Sequence, residues 1–187
     1  MRFFILCCLL LTSVTVSARE IAGVTVEETL PAADGKLLRL NGAGIRSKFF
    51  FDIYIAELYV QQPAGTTKAL LEAAGEKKMI MHFLYKEVGR DKLVEGWNEG
   101  FAGNSGAEEV AKLQERIDRF NALFVDVKKG ESIILDFLPD QGTVVTIAGE
   151  KKGVITGKDF NDALLRIWLG PDPVSEGLKE ELLGSKK

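Results

Sequence analysis

Gly42-Ala43-Gly44-Ile45-Arg46 and, just beyond it, Phe49-Phe50-Phe51-Asp52-Ile53-Tyr54-Ile55-Ala56-Glu57-Leu58-Tyr59-Val60 form the stretch on which the reading of this chain turns. The first part reads as a glycine-bracketed bend that delivers one arginine. The second, counted from Lys48, reads as one long strand rich in Phe, Ile, Tyr and Val. A cation fixed at the mouth of an apolar sheet suits an anionic group on a greasy molecule. Tyr54 follows Arg46 by eight residues, and in an extended chain an even separation puts both on one sheet face. An arginine fork and a tyrosine hydroxyl would then clamp a carboxylate or an enolate. The competing assignment pairs Arg46 with Asp52 or Glu57 at the surface and packs Tyr54 as core.

The N-terminus reads as a leader rather than as fold. Met1-Arg2 is a short positive start, Phe3 to Leu11 is an apolar run too short to span a bilayer, and Val16-Ser17-Ala18 is a small-residue cleavage site. The expected division is a signal peptide at 1–18 and one domain at 19–187, with a periplasmic or secreted location. Both cysteines, Cys7 and Cys8, fall inside the leader, which leaves about 169 residues without a disulfide, thiolate metal site or cysteine nucleophile. The apolar stretch before Cys8 is too short for a lipidated cysteine, and no small residue closes it. The whole chain has 24 Lys+Arg against 27 Asp+Glu, or 23 against 27 without Arg2. That balance disfavours nucleic acid as a partner. No polybasic run points to an anionic membrane surface, no second apolar stretch could cross a bilayer, and Lys186-Lys187 reads as a solvated tail.

Further along, Val24–Thr29 and Leu37–Asn41 alternate and are expected to pair as a hairpin across Asp34-Gly35. A short helix is expected over 67–74, and Met79–Tyr85 reads as a strand buried on both faces. Leu93, Trp97 and Phe101 recur on one helix face, and Val110, Leu113, Ile117, Phe120 and Phe124 on the next. Ser105 with Glu108, and Thr156 with Asp159, have the spacing of capping boxes. Ser132–Leu138 and Thr143–Ile147 flank a Pro139-Asp140-Gln141-Gly142 turn, a second turn is expected at Glu150–Gly153, and Pro173 is placed to open the last helix. Strands and helices in separate blocks give an α+β fold, an antiparallel sheet with helices packed on it.

Other chemistries find little support. His82, the single histidine, stands in an apolar strand and reads as a core or sheet-edge residue, so neither a zinc site nor a Ser-His-Asp triad is expected. Gly42-x-Gly44 lacks the third glycine and following helix of a nucleotide loop. Asp136 and Asp140 are expected to be solvated. No cofactor or metal is called for, and the sequence does not specify an oligomeric state.

Gly42–Arg46 with Ile53–Tyr59, the helix from Asp91 to Gly103 with Trp97, Asn98 and Phe101, Phe120–Leu138, Gly142-Thr143, Gly157–Phe160 and Ile167–Gly170 together resemble the chalcone isomerase fold family, most closely its exported bacterial branch. The resemblance implies an open-faced β-sandwich with helices over a large antiparallel sheet and a cleft between them. In the plant isomerases the corresponding arginine stabilises a developing oxyanion, and in fatty-acid-binding members it holds a carboxylate together with a tyrosine. Arg46 matches that arginine, and Tyr54 matches the tyrosine of the binding members. Asn98 matches an isomerase asparagine by spacing, and Ser175 loosely matches a C-terminal hydroxyl. Gly89–Leu93 has no tyrosine where the isomerases bring one. The resulting expectation is a protein that holds a small amphipathic ligand, a fatty-acid-like carboxylate or an enone, through Arg46 and Tyr54. Asn98, Trp97 and Phe101 would complete the ligand site. The alternatives are an intramolecular lyase acting on an unsaturated ketone, with Arg46 as its catalytic group, and a non-catalytic envelope interaction protein.

Overall fold

The computed structural model describes residues 18–185; the expected leader up to residue 17 and the final Lys186-Lys187 lie outside the described residues. The elements run in chain order β1 (Ala18–Ile21), β2 (Val24–Glu27), β3 (Thr29–Pro31), β4 (Leu37–Lys48), β5 (Phe51–Val60), α1 (Thr67–Glu72), β6 (Lys77–Phe83), β7 (Glu87–Val88), α2 (Arg90–Asn104), α3 (Ala107–Asn121), β8 (Val127–Lys128), β9 (Ser132–Leu138), β10 (Gly142–Ile147), β11 (Glu150–Ile155), α4 (Lys158–Leu169) and α5 (Glu176–Leu182). Seven strands form one sheet in the order β11-β10-β9-β6-β5-β4-β3, with every neighbouring pair antiparallel. Helices pack on one face, and the β1–β2 hairpin lies on the other through Val26 and Ile21. This is the α+β, open-faced arrangement expected.

Alternation along β5 divides its side chains between the two faces. Tyr54, Ala56, Leu58 and Val60 enter the large core beneath the helices, while Tyr59 joins the smaller core under the hairpin. On the helix side, α4 buries nearly its whole surface, and Trp97, Phe101, Phe120, Phe124, Phe160 and Trp168 form a chain of ring contacts with centroids 4.8–6.3 Å apart. Edge-to-face pairs of this kind each add about 0.5–1.5 kcal/mol beyond burial.

Strand β4 departs most from expectation. Gly42-Ala43-Gly44 is not a bend; it lies inside a twelve-residue strand. The chain instead turns at Phe49-Phe50, so the expected single strand from Lys48 is divided between β4 and β5. The glycines answer a packing demand, because the C-terminal end of α5 crosses them. A Cβ on Gly42 would collide with the Glu181 carbonyl, and one on Gly44 with the Glu181 carboxylate. The register slips between Leu40 and Gly42, leaving Asn41 unpaired as a bulge. Its side chain donates to the Leu182 carbonyl (2.6 Å) and the Ala64 carbonyl (3.2 Å), and accepts from Ala64 N (2.7 Å). The extra residue inverts the alternation. Leu38 and Leu40 face the hairpin, whereas beyond the bulge Gly42 and Gly44 face α5 and Ala43 takes the hairpin side.

Other local expectations are also corrected. Val24–Glu27 pairs with Ala18–Ile21, leaving Thr29–Pro31 to pair with β4. Ser105 does not cap α3; its Oγ accepts from Arg166 Nη2 at 3.1 Å. The cap position of α4 is Gly157, which leaves Thr156 one residue too early to cap it, and Asp159 is bound bidentately by Arg116 at 2.6 Å for each bond. The turn before β11 falls at Ala148-Gly149. The last helix starts after Ser175, whose side chain accepts from Leu178 N at 3.3 Å, not at Pro173.

Candidate functional site

Arg46 and Tyr54 are directly opposite one another as cross-strand partners of β4 and β5. They share a face because of the hairpin between them, not because of a continuous extended strand. The Arg46 guanidinium carbon stands 5.9 Å from the centre of the Tyr54 ring, within cation–π range. Among the described residues no carboxylate pairs with Arg46. Asp52 accepts instead from Ser47 Oγ at 2.7 Å, and Glu57 lies on the opposite face of the sheet.

Tyr54 is 6 % exposed. Its hydroxyl oxygen accepts from Trp168 Nε1 at 3.1 Å, which leaves its own proton free for a further acceptor. Burial pushes its pKa from 10.0 up to about 12, although the Arg46 charge and the Trp168 hydrogen bond act in the other direction. At neutral pH the group is therefore a phenol and a donor.

Arg46 and Tyr54 line a cavity of about 330 Å³ between β4–β6 and the first turns of α2. Its apolar wall is formed by Ile53, Met81, Phe83, Leu93, Trp97 and Ile167, and the charged groups Lys48, Glu87, Lys92, Glu95 and Glu99 also line it. Lys92 Nζ donates to Glu95 Oε2 at 2.5 Å. That contact raises the lysine pKa and lowers that of the carboxyl. Gly96 leaves open space on the cavity side of α2, where nothing stands within 4 Å of a Cβ position. Trp97 buries its indole Nε1 with no acceptor among the described residues. An unpaired buried donor costs about 1–3 kcal/mol.

The structure brings Arg46, Tyr54 and Trp97 together but separates the other expected site residues from them. Phe101 is 1 % exposed and packs on Phe120 and Phe160, below the cavity wall. Asn98 is on the outer side of α2, where its Oδ1 accepts from Asn121 Nδ2 at 2.8 Å. Helical geometry explains this, because a residue next to Trp97 is turned by 100° from it. Ser175 is committed to its helix cap. Among the cavity residues not anticipated, Ile53, Tyr85, Gly96 and Ile167 come from four separate segments, and no local spacing links them.

On the opposite face, His82 is not an edge residue. It is in β6, a central strand, with Nε2 3.0 Å from Glu57 Oε1. Glu57 is 2 % exposed and its Oε2 accepts from the Tyr59 hydroxyl at 2.8 Å. The Tyr59 hydroxyl also lies 2.9 Å from the Glu27 carbonyl. Burial, reinforced by the Glu57 charge, raises the Tyr59 pKa strongly. Asp136 is half-buried and bridges Lys78 at 2.9 Å, so it is not simply solvated, whereas Asp140 is exposed as expected. No cluster of three or more His, Cys, Asp or Glu side chains placed for a metal occurs among the described residues.

The fold agrees with the results of comparison with known proteins. The chain matches the chalcone isomerase-like family over residues 18–184 and belongs to that family. Among solved structures it is similar to a fatty-acid binding protein of Arabidopsis thaliana, with 16 % identity, a TM-score of 0.63, and coverage of 84 % of this chain and 97 % of that one. At that identity the likeness shows a shared fold. None of the curated proteins matches this sequence. Among the described residues, no helix is long and apolar enough to cross a membrane.

Proposed function

We propose that this protein binds a small amphipathic molecule with an anionic head, such as a fatty-acid-like carboxylate, in the cavity beside Arg46. One observation carries the reading: a guanidinium with no acidic partner among the described residues sits against a buried tyrosine in a cavity with one apolar wall and a charged rim. A partly desolvated cation without a counter-ion favours an incoming anion. Arg46 supplies charge and a donor fork, and the neutral Tyr54 hydroxyl supplies one further donor on the same face. Met81, Phe83, Leu93 and Trp97 offer apolar surface to the rest of the ligand. The volume is near the lower end of small-molecule sites, so a long acyl chain would extend towards the mouth. The fatty-acid binding named for the structurally similar plant protein supports the same reading.

An intramolecular lyase would use Arg46 as its oxyanion partner but needs a second group to position the ketone. The start of α2, where the isomerases bring a tyrosine, presents Lys92 and Leu93 to the cavity. Electrostatic stabilisation without positioning makes a weak catalyst, which favours binding. Following the leader-like N-terminus, we place the protein in the periplasm or outside the cell.

The test is fatty-acid affinity measured for the wild type and for Arg46→Leu, together with mass spectrometry of lipid released on denaturation. Loss of both affinity and copurifying lipid in the variant supports the proposal; unchanged affinity refutes it. A rate above buffer with naringenin chalcone, abolished in the same variant, would favour the lyase.

A further inference from the structure

The turn between β4 and β5 places Phe49, Phe50 and Phe51 in succession at 86, 99 and 55 % exposure. Tyr85, itself 38 % exposed, packs edge-on against Phe51 with ring centres 5.5 Å apart, extending the apolar surface. Phe49 has φ 57°, a left-handed conformation that disfavours a bulky side chain and that glycine or asparagine would occupy more easily. The turn thus bears both a conformational cost and the cost of three wet aromatic rings, and neither is recovered within the described fold. Exposed lysines flank it: Lys48 precedes Phe49, Lys86 follows Tyr85, and Lys129 N donates to the Lys86 carbonyl at 3.1 Å. The carboxylates nearby are Asp52, held by Ser47, Glu87, and Glu95, which is paired with Lys92 and also feels the Lys48 charge.

We propose that this aromatic tip inserts into the interfacial layer of a lipid bilayer and docks the cavity mouth against the membrane surface. Three convex phenylalanines offer on the order of 500 Å², short of the ~800 Å² per partner of a stable protein interface. A bilayer needs no complementary shape, and aromatic rings beside lysines suit its interface. The tip is also continuous with the cavity, since Lys48 and Tyr85 line both. A ligand leaving Arg46 would emerge beside the inserted rings. That last point, exchange between bilayer and cavity, rests on the ligand reading above; the docking does not.

The experiment uses the full chain carrying Phe50→Trp, mixed with phosphatidylcholine vesicles, with and without phosphatidylglycerol, whose acyl chains are brominated. Trp97 and Trp168 are 4 and 0 % exposed, so the wild type supplies their background. Docking gives a blue-shifted indole signal that bromine quenches, whereas Val154→Trp, on the far edge strand β11, is quenched much less. Adding Phe49→Ser and Phe51→Ser to the reporter lowers vesicle partitioning about tenfold or more. Phe50→Ser leaves fatty-acid affinity in vesicle-free buffer unchanged while slowing transfer from vesicles to protein. Equal quenching at both reporter positions, or none at the tip, overturns the proposal. A blue shift that grows with protein concentration in the absence of vesicles also overturns it, because a second copy then covers the tip. If fatty-acid binding is absent but tip quenching persists, the cavity reading fails and the docking stands.

Discussion

The two faces of the central sheet each carry a charged side chain next to a buried tyrosine, and they treat it in opposite ways. Under the hairpin, Glu57 accepts from the Tyr59 hydroxyl and stands 3.0 Å from His82 Nε2, so it has polar neighbours within the chain. Under the helices, the Arg46 guanidinium meets the π face of Tyr54 and, among the described residues, no carboxylate pairs with it. A satisfied buried group contributes structure, while an unanswered one at a cavity is available to something outside the protein. The contrast separates a structural network from the proposed binding site on the same strands.

The largest effect should come from breaking the satisfied face. Glu57→Ala removes the carboxylate that accepts from Tyr59 and stands beside His82, and is expected to cost about 3 kcal/mol in urea denaturation, with fatty-acid affinity unchanged. A fall in affinity would show that the two faces are coupled. Next, Arg46→Leu should weaken fatty-acid binding roughly 10- to 100-fold while leaving the urea midpoint of the ligand-free protein in place. A clear loss of stability would mean that Arg46 is structural after all.

A smaller effect follows from the buried phenols. Tyr54 holds its proton up to about pH 12 when folded and loses it near 10 when unfolded. Between those values the unfolded chain binds fewer protons than the native one, so stability should fall as pH rises from 10.0 through about 12. Tyr54→Phe should flatten part of that decline, and the remainder should report Tyr59, whose pKa is also raised. If Tyr54→Phe leaves the curve unaltered, the assigned burial of that phenol is wrong. The smallest effect is expected for Trp97→Phe, which keeps an aromatic ring and removes an unpartnered N–H. Removing that donor recovers about 1–3 kcal/mol while the smaller ring forfeits packing of similar size, so stability should change by less than about 1 kcal/mol, while a several-fold loss of ligand affinity would show that the indole donates to the head group.

How far the sequence could be read depended on whether a signal was local. The β9–β10 hairpin and the Leu93/Trp97 helix face were legible because turn residues and 3.6-residue periodicity mark them directly. Arg46 and Tyr54 were found together, but on a mistaken geometry. The turn that makes them cross-strand partners contains phenylalanines where glycine or asparagine would have announced it. The capping boxes failed because α3 and α4 begin one residue later, after Gly106 and Gly157, while Arg166 and Arg116, distant in sequence, bind Ser105 and Asp159. Gly42 and Gly44 carried the right emphasis for the wrong reason; the cause is a helix arriving from residue 181. Asn98 and Phe101 shared a helix with Trp97, but only the angle around that helix decides which of them meets the cavity.

The bulge at Asn41 has a consequence for how such a site arises. It acts as a phase shifter in the pleat: with one residue fewer, everything downstream on β4 would exchange sides, and the arginine would emerge beneath the hairpin among Leu38 and Leu40. The proposed capacity to receive a ligand is therefore written partly in the length of a strand. On that reading, loss or gain of a single codon there would abolish or create a receptor without altering any residue that touches the guest.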